Sequence, residues 1–280
     1  MADYTVTCNG AEPDASGVLY AIIVYYDGES FYSYVSSESD VASAQNVRTA
    51  LYEQPVWFTD IWRAPSSALF VSDADGQVHV FRAGGWTAAQ ISERALNTVW
   101  GFAETLAYTG GDDGIVYRWD GTGWVAISPP LGSTILCIRG TAPADLYVCG
   151  EDSLLWHYDG SAWTQITIPT NVVLVGLLVL SPADILVSGQ GGTLFRGSGA
   201  AWTDVSQPGR DFYKMALFRG DIHIAGGGDG VLVFDGVGVR PIKDNIVVYR
   251  LSAVETYLAA AGGNLAARFD GAGWFGARYT

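Results

Sequence analysis

The amino-acid sequence predicts an all-β fold, a seven-bladed β-propeller of four-stranded antiparallel blades, on three observations. A tight turn followed by an aromatic residue recurs along the chain: FRAGGW (Phe81–Trp86), RWDGTGW (Arg118–Trp124), HYDGSAW (His157–Trp163), RGSGAAW (Arg196–Trp202), VFDGVGV (Val233–Val239) and RFDGAGW (Arg268–Trp274). The anchor-to-anchor steps are 38, 39, 39, 37 and 35 residues, a period that marks stacked repeats or a propeller. Composition agrees, since 49% of the 280 residues are hydrophobic, 16% are charged and 35 are glycine, as expected of a buried, turn-rich β protein. Thirdly, each repeat holds several short apolar segments parted by Gly, Asp and Pro turns, which is the signal of small antiparallel strands.

Taken in order, the amino-terminal MADYTVTCNGAEPDASG has neither a basic nor an apolar signal region, so no secretory signal is expected. VLYAIIVYY (Val18–Tyr26) is too short to span a bilayer. YYDGESF (Tyr25–Phe31) is a seventh copy of the turn, 55 residues before Trp86, and needs an insertion to fit. Counting Phe31, Trp86, Trp124, Trp163, Trp202, Val239 and Trp274 gives seven blades; six is the main alternative, because the first unit is the least regular. Ser36–Gln54 is read as an insertion joining blades one and two, with Asp40–Tyr52 expected as a short helix capped by Asp40 or as an ordered loop. The whole, 1–280, is expected to form a single domain.

Asn97–Ser128 shows one repeat clearly: NTVWGFA, TLAYTGG, GIVYRWDG and GWVAIS are four strands. A lone sheet apolar on both faces cannot bury itself, so neighbours must pack on it. The next two units match in register, with a Pro-Ala-Asp turn whose Asp lies 18 residues before the anchor in both (Asp145 to Trp163, Asp184 to Trp202). Ala142–Gly150 followed by His157-Tyr158-Asp159-Gly160 and Trp163 resembles the bacterial propeller repeats of the APxDVWAVG…HxDGxxW type, from about Trp57 to the end of the chain. Gly110-Gly111, Tyr117 and Trp124 are similar to kelch repeats. The resemblance implies the fold and little about activity.

Trp86, Trp124, Trp163, Trp202 and Trp274 are expected to open outermost strands and cover the seams between blades as structural anchors, where truncation would cost about 3–5 kcal/mol. The B–C turns and D–A links share one face, and Asp73, Asp75, Asp112, Asp113, Glu151, Asp152 and Asp229 are expected to ring it together with the insertion. This acidic face is the candidate binding surface. A net charge of −14 with two lysines disfavours nucleic acid and anionic membranes, and the acidic face suits a partner with a basic patch or a divalent cation.

Catalytic, metal and cofactor motifs are missing from the sequence. His79, His157 and His223 fall in non-equivalent repeat slots, no HExxH, GxSxG or phosphate loop occurs, and Asp73-Ala74-Asp75-Gly76 lacks the distal acid of a calcium loop. Arg219-Gly220-Asp221 sits where an A–B turn belongs. Cys8, Cys137 and Cys149 make no disulfide framework, and Cys137 and Cys149 are expected as buried thiols on neighbouring strands. The expected role is a non-catalytic interaction or structural module docking onto a larger assembly, such as a phage tail or a bacterial injection or secretion apparatus. Synthesis in the cytoplasm, with later incorporation into a virion or extracellular assembly, fits the missing signal. A carbohydrate-binding propeller lectin is the alternative, and a glycan the alternative ligand.

Overall fold

The computed structural model describes residues 4–280. The fold is an all-β, seven-bladed propeller. Each blade is a sheet of four consecutive antiparallel strands, A to D in chain order, over residues 5–54, 58–90, 96–126, 135–165, 174–204, 215–243 and 250–278. Among the described residues the helical content is one 3-10 turn, Gln190–Gly192. The chain divides into two compact units, Met1–Ile61 with Lys214–Thr280, and Trp62–Tyr213.

Blade strands form because their residues are β-branched, aromatic or small and because both faces are covered. The B strands Leu69–Asp73 and Leu106–Gly111 are buried along nearly their whole length, the continuous apolar pattern of a strand packed on two sides. D strands such as Trp124–Ala126 bury only the first residue in part, as befits an edge. Strand D of one blade is followed by a link that runs back across the B–C turn. Gly76 shows the constraint: its φ of +82° is left-handed, and a Cβ there would lie 2.1 Å from the Ser92 carbonyl oxygen. Glycine is the residue that tolerates both.

In the unit Trp62–Tyr213 the core lies in the seams between successive blades. Phe70 and Val80 pack on Leu96, Val99 and Trp119; Tyr108 and Val116 pack on Ile135, Ile138 and Val148; Tyr147 and Leu155 pack on Leu174, Leu177 and Phe195. Cys137 and Cys149 are directly opposed across strands A and B of blade 4, and both are buried. In the other unit the first and last blades meet directly, with Cys8, Leu19 and Ile23 against Ala259, Ala261 and Tyr279.

Two expectations about blade 1 are corrected. Phe31 opens strand C (Phe31–Glu38), not the outermost strand. Ser36–Gln54 is not a link between blades and holds no helix: it finishes strand C, turns through 39–47, and returns as strand D, Arg48–Gln54. The physical reason is pairing. Thr49 and Tyr52 suit a strand, and Arg48–Gln54 satisfies its backbone against Ser33–Glu38. Asp40 spends its Oδ1 on the Ala42 N–H at 3.0 Å, closing a turn rather than capping a helix. As a C–D connection, this segment lies at the sheet edge carrying the A–B turn, opposite the B–C edge where it was expected.

Candidate functional site

The acidic residues divide into two kinds. Asp73 ends strand B of blade 2 and points inward at 1% exposure. Its Oδ1 accepts the N–H groups of Asp75 (3.0 Å) and Gln77 (2.8 Å), and its Oδ2 lies 2.8 Å from buried His79 Nε2. Asp73 therefore holds the turn and is not a surface ligand, which corrects its expected place on the rim. Asp113 is half-buried. It accepts the Ile115 N–H, the Ser92 hydroxyl and the Tyr117 hydroxyl, the last two at 2.7 Å, so it ties the B–C turn to the incoming link. Donation to Asp113 together with burial raises Tyr117 to about 12, burial being the larger cause.

The others face solvent. Asp75, Asp112, Glu151 and Asp152 are exposed on the B–C turns of blades 2, 3 and 4. Asp112 accepts from Asn97 Nδ2 at 2.7 Å and Asp152 from Ser133 Oγ at 2.9 Å, each leaving a free carboxylate oxygen. Asp229, in the unit that holds blades 1, 6 and 7, is exposed on the B–C turn of blade 6.

The aromatic anchors are half-buried, and four of the five meet a ring of their own blade. Trp124 meets Trp119 at 5.6 Å, Trp163 meets Tyr158 at 5.0 Å, Trp274 meets Phe269 at 4.9 Å and Trp86 meets Phe81 at 5.4 Å. Each ring partner lies five residues earlier, directly opposite on strand C. Trp163 also reaches the preceding blade, donating its Nε1–H to the Ile127 carbonyl at 2.9 Å. Trp202 pairs with Gly197 and so lacks a ring partner.

The Pro-Ala-Asp turns are structural clasps. Arg196 grips Asp184 with two hydrogen bonds of 2.7 Å, and His157 Nε2 lies 2.8 Å from Asp145 Oδ1 while its ring stacks on Tyr147. Among the described residues no group of three His, Cys, Asp or Glu side chains converges on a point that could hold a metal ion.

One feature escaped the sequence reading. A cavity of about 440 Å³ opens beside blade 1, lined by Tyr4, Tyr25, Tyr32, Tyr34 and Tyr279 with Ile23, Ser36, Arg48 and Ala50. Its signal was the alternation of Tyr32 and Tyr34, which places both on one face.

Comparison with known proteins bears on the fold. No protein-family model matches the sequence, and no curated protein matches it. Among solved structures, the WD40 propeller domain of Doa1 superposes with a TM-score of 0.78 at 11% identity, covering 96% of this chain and 95% of that one. Virginiamycin B lyase from Staphylococcus aureus gives 0.73 at 10% identity, with 93% and 97% covered. YCF48 bound to D1 peptide gives 0.59 at 13% identity, with 79% and 81% covered. The likeness is one of fold. At such identities a propeller that is an enzyme and propellers of other kinds match alike, so the site must carry the functional argument.

Proposed function

We propose that the chain is a non-catalytic propeller module that docks a protein partner through the carboxylate-bearing B–C turns of blades 2 to 4. One observation carries this reading: Asp75, Asp112, Glu151 and Asp152 stand exposed on corresponding turns of three consecutive blades, and none forms a salt bridge among the described residues. Unneutralised carboxylates on a rigid turn edge steer and orient a surface rich in Lys and Arg. YCF48, a propeller solved with a bound peptide, supports a docking role on this scaffold. The non-catalytic part is supported by the histidines, each of which has a structural neighbour: Asp73 for His79, Asp145 and Tyr147 for His157, and the Asp221 carbonyl for His223. Exposed aromatic side chains (Tyr4, Phe31, Tyr249, Phe275) do not recur at one position of the repeat, which favours protein docking over a multivalent lectin. The larger assembly, a phage tail or a bacterial injection or secretion apparatus, belongs to the same proposal.

The test is capture of the native partner on the tagged chain, its identification by mass spectrometry, and titration of the purified pair. The triple variant D112K/E151K/D152K should bind at least about tenfold more weakly, and wild-type affinity should fall with added salt. Its stability should fall by no more than about 2 kcal/mol, from two lost surface hydrogen bonds and a lysine at the left-handed backbone of Asp152. Equal affinity of variant and wild type would refute the docking face.

A further inference from the structure

Three seams of this propeller are closed by an indole at the start of strand D. Trp124, Trp163 and Trp202 each add to the apolar cluster shared with the preceding blade. Blade 1 departs from that rule. Arg48 opens its strand D, and the residue opposite is Glu38 instead of an aromatic partner. Arg48 Nε is 2.6 Å from Glu38 Oε1, its Nη2 donates to the Arg278 carbonyl at 3.0 Å, and its guanidinium lies 4.2 Å above the Tyr279 ring. With an ion pair where an indole would stand, the seam between the last and first blades keeps an open cavity of about 440 Å³.

The cavity walls have one character. Tyr4 and Tyr25 meet at 83°, Tyr25 and Tyr34 at 82°, and Tyr32 and Tyr34 at 67°. The tyrosine rings that line it are therefore set in more than one plane. Charge points the same way. The Arg48 cation is neutralised by Glu38, whereas Glu53, directly opposite Tyr34 on the same face of the sheet, is the main cause that raises Tyr32 to about 12. Ser36 Oγ, in the lining, is buried without a hydrogen-bond partner and offers lone pairs to a polarised group. Aromatic faces around an acidic rim attract a cation. Walls this apolar favour one that needs no hydrogen-bond acceptors, which a primary ammonium would.

We propose that the tyrosine cavity between the first and last blades binds a trimethylalkylammonium group, as carried by choline compounds and by trimethylated lysine. This site is separate in residues from the acidic turns, so either reading can fail alone.

The experiment titrates the full chain with choline and with Nε-trimethyllysine, followed by titration calorimetry and by ligand NMR line width. 3,3-Dimethylbutan-1-ol, the uncharged isostere of choline, isolates the charge, and unmethylated lysine isolates the methyl groups. Both controls should bind at least about tenfold more weakly than the quaternary probes. The ratio of choline to trimethyllysine affinity identifies the source. Y34A and Y25A should abolish binding, Y34F should keep it within about twofold because the ring face remains, and exposed E53Q should weaken it about threefold to tenfold. Equal binding of the neutral isostere or of lysine would overturn the proposal. So would saturation by methyl glucoside alone, or unchanged affinity in E53Q together with folded Y34A.

Discussion

Burial, rather than any catalytic partner, decides the chemistry of His223. It sits in strand B of blade 6, Asp221–Ala225, 3% exposed, with Nδ1 3.1 Å from the Asp221 carbonyl and its ring edge-on to Phe218. Desolvation is the main cause that lowers its pKa below 6.5; Arg240 pushes the same way, and Asp221 opposes through its carbonyl and its charge. The unfolded chain therefore binds a proton that the folded chain resists, so stability is full above the unfolded value and falls as pH drops through the folded one. Lowering the pH from 7 to 5 should lower the urea midpoint of the wild type, and His223→Gln should flatten that slope. An equal slope in the variant would show that His223 is not the group responsible. The turn carboxylates act in a separate window. Asp120 and Asp159, each accepting two backbone N–H groups and a hydroxyl, are held at about 2. Their contribution is present above their ordinary value and lost only as pH falls toward 2.

The DGxxW hairpin is the repeating element, and its strength varies with its ring partner. Trp163 stacks on Tyr158 and bonds to the preceding blade, whereas Trp202 faces Gly197 and bonds only to the nearby Gly199 carbonyl. Trp163→Ala should cost about 2–4 kcal/mol and Trp202→Ala less, as read from urea denaturation; Trp163→Phe, losing the N–H bond, should cost about 1 kcal/mol. A larger loss at Trp202 would mean that seam burial outweighs stacking. The same hairpin explains what the sequence could and could not tell. Blades 2 to 7 were legible because the turn marks the C–D hairpin in each. In blade 1 the motif makes the identical Asp turn, with Asp27 accepting from Glu29 and Ser30 N–H, but in the B–C hairpin. A turn motif specifies a hairpin and not its rank in the sheet, so from sequence the outermost strand of blade 1 reads as an insertion. The exposed acids were legible as loop residues; the inward Asp73 was not, because its direction depends on His79 across the sheet. The tyrosine cavity was hidden for a related reason, since it follows from an aromatic absent at Arg48.

At the scale of the molecule, the first and last blades must be joined by contacts between their faces, because among the described residues every blade is built from consecutive strands and no strand is exchanged between the two. Small residues let the two sheets approach, Ala11 and Ala21 against Ala259, Ala261 and Ala266. Backbone is then stitched to its neighbour: the Cys8 N–H donates to the Gly263 carbonyl at 2.6 Å, and Ser252 Oγ to the Ala11 carbonyl at 2.6 Å. Arg268 is the central fastener. It is 5% exposed, donates to the Gly17 carbonyl, pairs with Asp40 at 3.0 Å and lies 4.2 Å from the Tyr257 ring centre. Gly17 accommodates it with a φ of +100°, where a Cβ would stand 2.2 Å from Nη1. Arg268→Ala should cost about 2–3 kcal/mol, because the Gly17 carbonyl loses its charged donor. Arg268→Lys should recover only part, since one ammonium cannot reproduce the planar fork that serves Gly17, Asp40 and the Tyr257 face together. Gly17→Ala should reproduce the alanine loss from the other side of the contact. If closure is the weak link, hydrogen exchange in Arg268→Ala will accelerate first at the amides of Cys8–Ala11 and Ala259–Ala261, while those of Leu146–Val148 keep their protection. Uniform acceleration through both units would instead mean that the propeller opens as one cooperative body, with Arg268 merely one more contributor to its total stability.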